Sequence, residues 1–226
     1  MNILILVRLS VCSMNQKKIK EEITMPPYSI NYTQCVVIVH GKSELSMVQY
    51  IKTNLHLPIK IYSKRNGGNG GSSIQIDGLL GVLNGGNFKN ISKFINEYMV
   101  EYDRKNKVLK NFKLFIIMDT DDCDEISKNN YINGKMFESH WLKPYIIPIY
   151  NINSIEDVMI KAGIMVKRIS DSEKGKFYSR IFPINQKPLS FDTIKEVMTL
   201  RNSLTKIKET NLYIFINFCL EKVGIS

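Results

Sequence analysis

The sequence predicts an α/β protein: a mostly parallel, four-stranded sheet flanked by helices, followed by a C-terminal helical extension. Two observations predict it. Four short apolar runs, "QCVVIVHG", "IKIYS", "FKLFIIM" and "YIIPIYN", alternate with segments whose apolar residues recur at helical spacing. Strands that alternate with helices make a parallel sheet covered on both faces. The first run is also continuous rather than alternating in polarity, as a strand buried on both faces is, and the third is the most apolar.

Each element follows in turn. "QCVVIVHG" is the first strand and stops at Gly41. "SELSMVQYIKTNL" is a helix with Leu45, Val48, Ile51 and Leu55 at helical spacing and Ser43 as its expected N-cap. Ser46 stands where a capping box would need Glu. Pro58 breaks this helix before the second strand, "IKIYS". The low-complexity patch "KRNGGNGGSS" leads to a helix, "SIQIDGLLGVLN", and a further helix is expected over "FKNISKFINEYMVEYDR". "FKLFIIM" is the third and most apolar strand, with "DTDDCDEIS" as its exit loop. "GKMFESHWL" reads as a short helix. "YIIPIYN" is the fourth strand, where Pro148 points to an edge or an irregularity. "SIEDVMIKAGI" is a helix capped by Ser154.

After Ile164 the character changes. "VKRISDSEKGKFYSRIFPINQKP" is basic and irregular, and "LSFDTIKEVMTLRNSL" and "LYIFINFCLEKV" read as two helices. Residues 31–164 are thus expected to form the α/β domain and 165–226 an extension packed on the same domain. Residues 1–30 read as an N-terminal extension, either disordered or preceding a working initiator at Met14 or Met25.

Composition bounds the function. The chain of 226 residues, 44% apolar, suits one α/β domain with a sizeable core. No apolar stretch approaches the 18 or so residues of a membrane helix. "MNILILV" is too short, is followed by Arg8 and makes a poor secretory signal. The four cysteines, Cys12, Cys35, Cys123 and Cys219, show neither CxxC pairs nor zinc spacing, so reduced thiols in a cytoplasmic protein are expected. A net charge of +10 favours an anionic partner, nucleic acid first, although only six of the 31 basic residues are arginine.

The chemistry concentrates at strand ends. Glu44 follows the first strand by one helical turn, Asp119 and Asp121 end the third, and Glu156 and Asp157 follow the fourth. In an open parallel sheet, ligands bind beyond the carboxyl ends of the strands, so these acids are expected to converge if the strands are neighbours. Crowded carboxylates repel, and a divalent cation such as Mg²⁺ relieves the repulsion and suits substrate phosphates. Simpler readings stand beside this one: an Asp after a strand also forms turns, and Glu156 and Asp157 also complement a helix dipole. "DTDDCDEISKNN" is not a calcium loop, because its sixth position is Asp124 and its twelfth Asn130. A phosphatase-type Asp nucleophile in "DTD" would leave Glu44 unexplained. Lys42 lies in the first turn and faces either phosphate or solvent, and Lys64 and Arg65 flank the glycine-rich loop, which reads either as a flexible connection or as a place where a phosphodiester backbone finds cations and backbone amides. That loop is not a Walker motif, since no GK[ST] closes it. Lys161, Lys167, Arg168, Lys174, Lys176 and Arg180 form a basic segment that reads either as a second backbone contact or as a solvated face. Trp141, Tyr145 and Tyr150 read as packing residues, and His56 and His140 carry no motif.

"VVIVHGKSELSMVQYI", "LFIIMDTDD" and "IPIYNINSIEDVMIKAGI" together resemble a Toprim domain. The similarity is to the small stand-alone relatives of overcoming-lysogenization-defect (OLD) nucleases in phage defence, and it covers residues 34–164. The resemblance implies a Rossmann-like Toprim fold and Mg²⁺- or Mn²⁺-dependent cleavage of phosphodiester bonds in DNA or RNA. Asp119 and Asp121 would be the DxD metal ligands, Glu44 the second acid of the first motif, and Glu156 and Asp157 the acidic turn after the fourth strand. It also implies an antiviral role and a possible partner defence protein. The sequence departs from the family at His40, which stands where the first glutamate belongs. An imidazole suits Mn²⁺ better than Mg²⁺ and can act as a general base near neutral pH. It also fits a binding or regulatory module that has lost catalysis, or simply a histidine hydrogen-bonded in a turn. A small-molecule phosphohydrolase is a further alternative.

Overall fold

A computed structural model of the chain describes residues 32–64, 73–184 and 189–225. Four parallel strands form the main sheet in the order β2-β1-β5-β6, where β1 is Cys35–Val39, β2 Ile59–Tyr62, β5 Lys113–Asp119 and β6 Ile146–Asn151. The register sets Cys35 opposite both Ile59 and Lys113, and Asp119 opposite Asn151. The strands form where the continuous apolar runs predict them. All five residues of β1 are buried, as are the last six of β5.

Alternate residues of the central strands feed two cores, as the two-residue period of a strand requires. Val37, Val39, Phe115, Ile117 and Ile149 pack under α1 (Lys42–Asn54), α5 (Ile155–Lys161), α6 (Asp171–Ile181), α7 (Phe191–Leu204) and α8 (Tyr213–Glu221). Val36, Ile38, Leu114, Ile116 and Met118 pack against α2 (Ile76–Leu83), α3 (Ile91–Tyr98) and α4 (Glu125–Ile132). On this second face the Tyr131 hydroxyl is fully buried, 2.6 Å from Ile116 O and 2.9 Å from Ile149 O, and shares its proton between β5 and β6. Trp141 donates to Phe88 O at 2.8 Å and stacks edge-on against Phe94, a packing role as expected.

Pro148 lies on an edge strand, and the chain covers that edge. Tyr150 N–H donates to Asn211 Oδ1 at 2.8 Å, Asn211 Nδ2 donates to Pro148 O at 3.0 Å, and Thr210 Oγ1 donates to Tyr150 O at 2.9 Å. One polar loop thus satisfies backbone groups that would otherwise template further strand pairing.

The structure corrects several local expectations. The helix expected over 88–104 ends at Tyr98, where Met99 takes a left-handed conformation (φ 54°), and a short antiparallel hairpin follows, β3 (Tyr102–Asp103) with β4 (Val108–Leu109). "GKMFESHWL" forms only a 3₁₀ turn, Lys135–Phe137. The segment read as irregular contains the helix α6, so the extension carries three helices, not two, among the described residues. The N-cap of α1 is Gly41 rather than Ser43. No helix among the described residues is long and apolar enough to cross a membrane.

Candidate functional site

Strand order places the site. From β1 the chain passes to β2 on one side, while β5 pairs with β1 on the other, so the connections diverge between β1 and β5. A crevice opens at such a point beyond the carboxyl ends of the strands, and ligands of open α/β sheets bind there. His40 and Gly41 leave β1 at this crevice, and Asp119 ends β5 beside it. His40 N–H donates to Ile117 O at 2.9 Å and extends the ladder by one residue.

The cavity at this point has a volume of about 420 Å³. His40, Glu44, Asp119, Asp121 and Glu156 all line it, so acids from three separate strand ends meet on one rim. Lys42, Lys64 and Lys174 line it as well. Asp157 does not line it: its carboxylate is taken by Arg168, whose Nε donates at 2.8 Å and whose Nη2 makes a second contact. The Arg168 bond is the main cause holding Asp157 below the usual carboxylate range. Arg65 and most of the glycine-rich loop lie outside the described residues.

Glu44 is the most unusual group present. It is 1% exposed. Its Oε2 accepts from Gly41 N–H at 2.8 Å, which ties the helix start to the strand end, but Oε1 is buried with no hydrogen-bond partner. Burial is the main cause pushing its pKa up, and the neighbouring Glu156 adds to it. A buried carboxyl oxygen without a donor is costly, so it marks a place where a partner belongs.

Asp119 is better satisfied on one side. Its Oδ1 accepts from Asn151 Nδ2 and from Ile155 N–H, each at 3.0 Å, so β6 and the first turn of α5 position it together. Burial raises its pKa first and Glu44 second, and these outweigh the lowering by Asn151 and His40. Glu44 thus opposes ionisation of Asp119, and both acids favour protonation unless a cation joins them.

His40 and His140 differ in kind. His40 Nδ1 lies 2.8 Å from Ile74 O, and a carbonyl only accepts, so Nδ1 carries the proton and Nε2 is the lone-pair nitrogen of the neutral ring. His140 spends both nitrogens inside the core, accepting from Leu142 N–H at Nδ1 (3.2 Å) and donating from Nε2 to Leu83 O (3.1 Å).

Sequence reading missed the support around Glu156. Its Oε1 accepts from Ser43 Oγ at 2.8 Å, from Tyr178 Oη at 3.2 Å and from Lys174 Nζ at 3.2 Å. Burial pushes Glu156 upward, but the Ser43 hydroxyl, its own backbone amide and Lys174 hold it below the usual range. The expected N-cap Ser43 thus donates to an acid 113 residues away. Asn151 had a detectable signal, since it ends β6 in register with Asp119. Lys174 and Tyr178 had none beyond membership of a basic segment. Three of the six cations of that segment are paired, Lys161 with Glu209, Arg168 with Asp157 and Lys174 with Glu156, while Lys167, Lys176 and Arg180 are exposed.

Among the described residues, no three His, Cys, Asp or Glu side chains form a preformed metal centre. A larger groove, about 730 Å³, runs along Tyr50, Phe182 and Glu196; it holds Arg180 of the basic segment but none of the candidate acids or His40. No protein-family model, curated protein or solved structure matches the chain. Fold and site together define an α/β protein with an acidic crevice at the divergence point of a parallel sheet.

Proposed function

We propose that the chain is a Toprim-like nuclease or nicking enzyme that depends on Mg²⁺ or Mn²⁺ and cleaves phosphodiester bonds in DNA or RNA. The observation that carries the proposal is the buried Glu44–Asp119 pair, with Glu44 Oε1 unpartnered, at the mouth of the sheet. The donor set fits a hard divalent cation: carboxylate oxygens are its ordinary ligands. Two carboxylates, with water and substrate oxygens completing the shell, are how Mg²⁺ is commonly held at phosphate substrates. When bound, such an ion offsets the two carboxylate charges and stabilises the oxygens that attack and leave in phosphodiester cleavage. The chain's own residues supply the rest. The Gly41 amide fixes one Glu44 oxygen, and Asn151 and the Ile155 amide fix one Asp119 oxygen. His40 offers Nε2 as a proton acceptor, with Ile74 O holding the ring. Lys42 and Lys64 at the rim suit a nucleic-acid backbone. The resemblance adds the setting: phage defence in the cytoplasm, with a second defence protein as a possible partner.

His40 favours a second reading, a binding or regulatory module that keeps the crevice without catalysis. One experiment separates the two. Plasmid DNA and a structured RNA are incubated with the purified protein and Mn²⁺ or Mg²⁺, alongside Asp119→Asn. The nuclease reading expects cleavage that chelator and Asp119→Asn abolish. Binding of either polymer without cleavage under both metals establishes the module instead. Turnover confined to phosphomonoesters would make the chain a small-molecule phosphohydrolase.

A further inference from the structure

We infer that the C-terminal extension is part of the site: α6 delivers Lys174 to the cavity as a phosphate-contacting, specificity-determining residue, and Glu156 is its positioning residue rather than a metal ligand. The inference rests on the reading of this cavity as a phosphodiester site.

Three observations carry it. Lys174 lines the same cavity as Glu44 and Asp119, although it lies more than fifty residues beyond the third strand in sequence. Its Nζ stands 3.2 Å from Glu156 Oε1, with 28% of the lysine side chain exposed and only 10% of the glutamate. The ammonium therefore sits at the boundary, with its counter-ion on the buried side. Glu156 Oε1 also gathers Ser43 Oγ from the first turn of α1 and Tyr178 Oη one turn further along α6. A carboxylate oxygen with three donors is saturated. It joins α1, α5 and α6 at one atom and fixes where Lys174 points.

The charge arrangement gives this a purpose. A polynucleotide brings an anionic backbone to a crevice that already holds buried acids. A lysine anchored by an ionised carboxylate gives that backbone a cation at a set position without neutralising Glu44 or Asp119 directly. Phe182 at the end of α6 stacks on Tyr178, with centroids 5.9 Å apart, and packs on Tyr50 of α1 at 5.5 Å, so the helix carrying Lys174 has a packed footing.

The test measures binding and cleavage separately. A fluorescein-labelled twelve-nucleotide single-stranded DNA is titrated with Ca²⁺ present over a range of salt, and cleavage is followed with Mn²⁺. Lys174→Met is expected to raise KM about tenfold, as loss of a charged hydrogen bond does. It should also reduce the slope of log affinity against log salt by about 0.7, the value for one single-strand phosphate contact. Lys174→Arg should restore most of both, and Tm should stay within about 2 °C of wild type. Glu156→Gln should raise KM less than Lys174→Met and leave cleavage dependent on metal. An unchanged salt slope in Lys174→Met, or abolished cleavage in Glu156→Gln with the fold intact, would overturn the inference. Wild-type protein that binds the oligonucleotide but never cuts it refutes the nuclease reading alone, because the salt slope still reports on Lys174. Failure to bind it at all overturns both.

Discussion

At the scale of single residues, the site is built by exceptions to ordinary burial rules. Buried polar atoms in native proteins find partners, and His140 obeys this with both ring nitrogens engaged. Glu44 does not: one of its carboxyl oxygens is buried without a partner, and the residue lines the functional cavity. Glu44→Gln keeps an acceptor for Gly41 N–H while removing the charge that Glu156 and Asp119 oppose. In chelator at pH 8 this variant is expected to melt higher than wild type by a few degrees, of the order that 1–2 kcal/mol gives in a chain of this size. Cleavage should fall by roughly a hundredfold or more. Thermal melts and initial rates on one preparation check both. A lower Tm in Glu44→Gln would show that the carboxylate is stabilised in the free protein by something other than a cation. His40→Ala should reduce the rate with little change in Tm, whereas His140→Ala should cost about 2–3 kcal/mol by leaving Leu142 N–H and Leu83 O unpaired in the core.

At the scale of elements, what was legible depended on whether local pattern or distant packing forms the structure. The parallel strands could be read because a strand buried on both faces must be apolar along its buried length, as β1 and residues Leu114–Met118 of β5 are. The acids at their ends followed directly. Helix α6 could not be read: "DSEKGKFYSRI" has little apolar periodicity, and the helix is held by Tyr178 and Phe182 packing toward Tyr50 on α1. Lys174 was hidden for the same reason, since nothing local ties it to Glu156. The β3–β4 hairpin has two residues per strand, too few for any periodicity. Tyr131 was equally silent, yet its hydroxyl bridges β5 and β6 three residues before Asp119 and two before Asn151. Tyr131→Phe should therefore cost about 1–2 kcal/mol, seen as an earlier urea midpoint with an unchanged slope. Cleavage at 25 °C should persist, because Asp119 keeps both of its own donors. A lost activity with unchanged stability would place the tyrosine in the chemistry instead.

At the scale of the whole molecule, the carboxyl pair couples stability to pH and to metal. Burial first, then repulsion by Glu156 on Glu44 and by Glu44 on Asp119, raises Glu44 to about 7 and Asp119 to about 8 in the folded chain, above their ordinary values of 4.5 and 3.8. A carboxyl raised on folding binds its proton more tightly in the native state than in the unfolded one. Its contribution is thus fully present below the unfolded value and lost as pH rises through the folded value. In chelator, Tm is expected to fall steadily from about pH 5 to pH 8.5, a window in which Asp157, held low by its Arg168 partner, stays ionised and contributes no slope. Saturating Mn²⁺ should reverse the fall at the upper end, because an ion bound only by the folded state stabilises it by mass action and needs both carboxyls deprotonated. The double variant Glu44→Gln with Asp119→Asn should flatten the pH dependence and remove the response to Mn²⁺ together. Melting curves at five pH values, with chelator and with Mn²⁺, make the comparison. A wild-type Tm that rises across this range in chelator would mean that the two acids are separately neutralised in the free protein, and the case for a cation between them would fail.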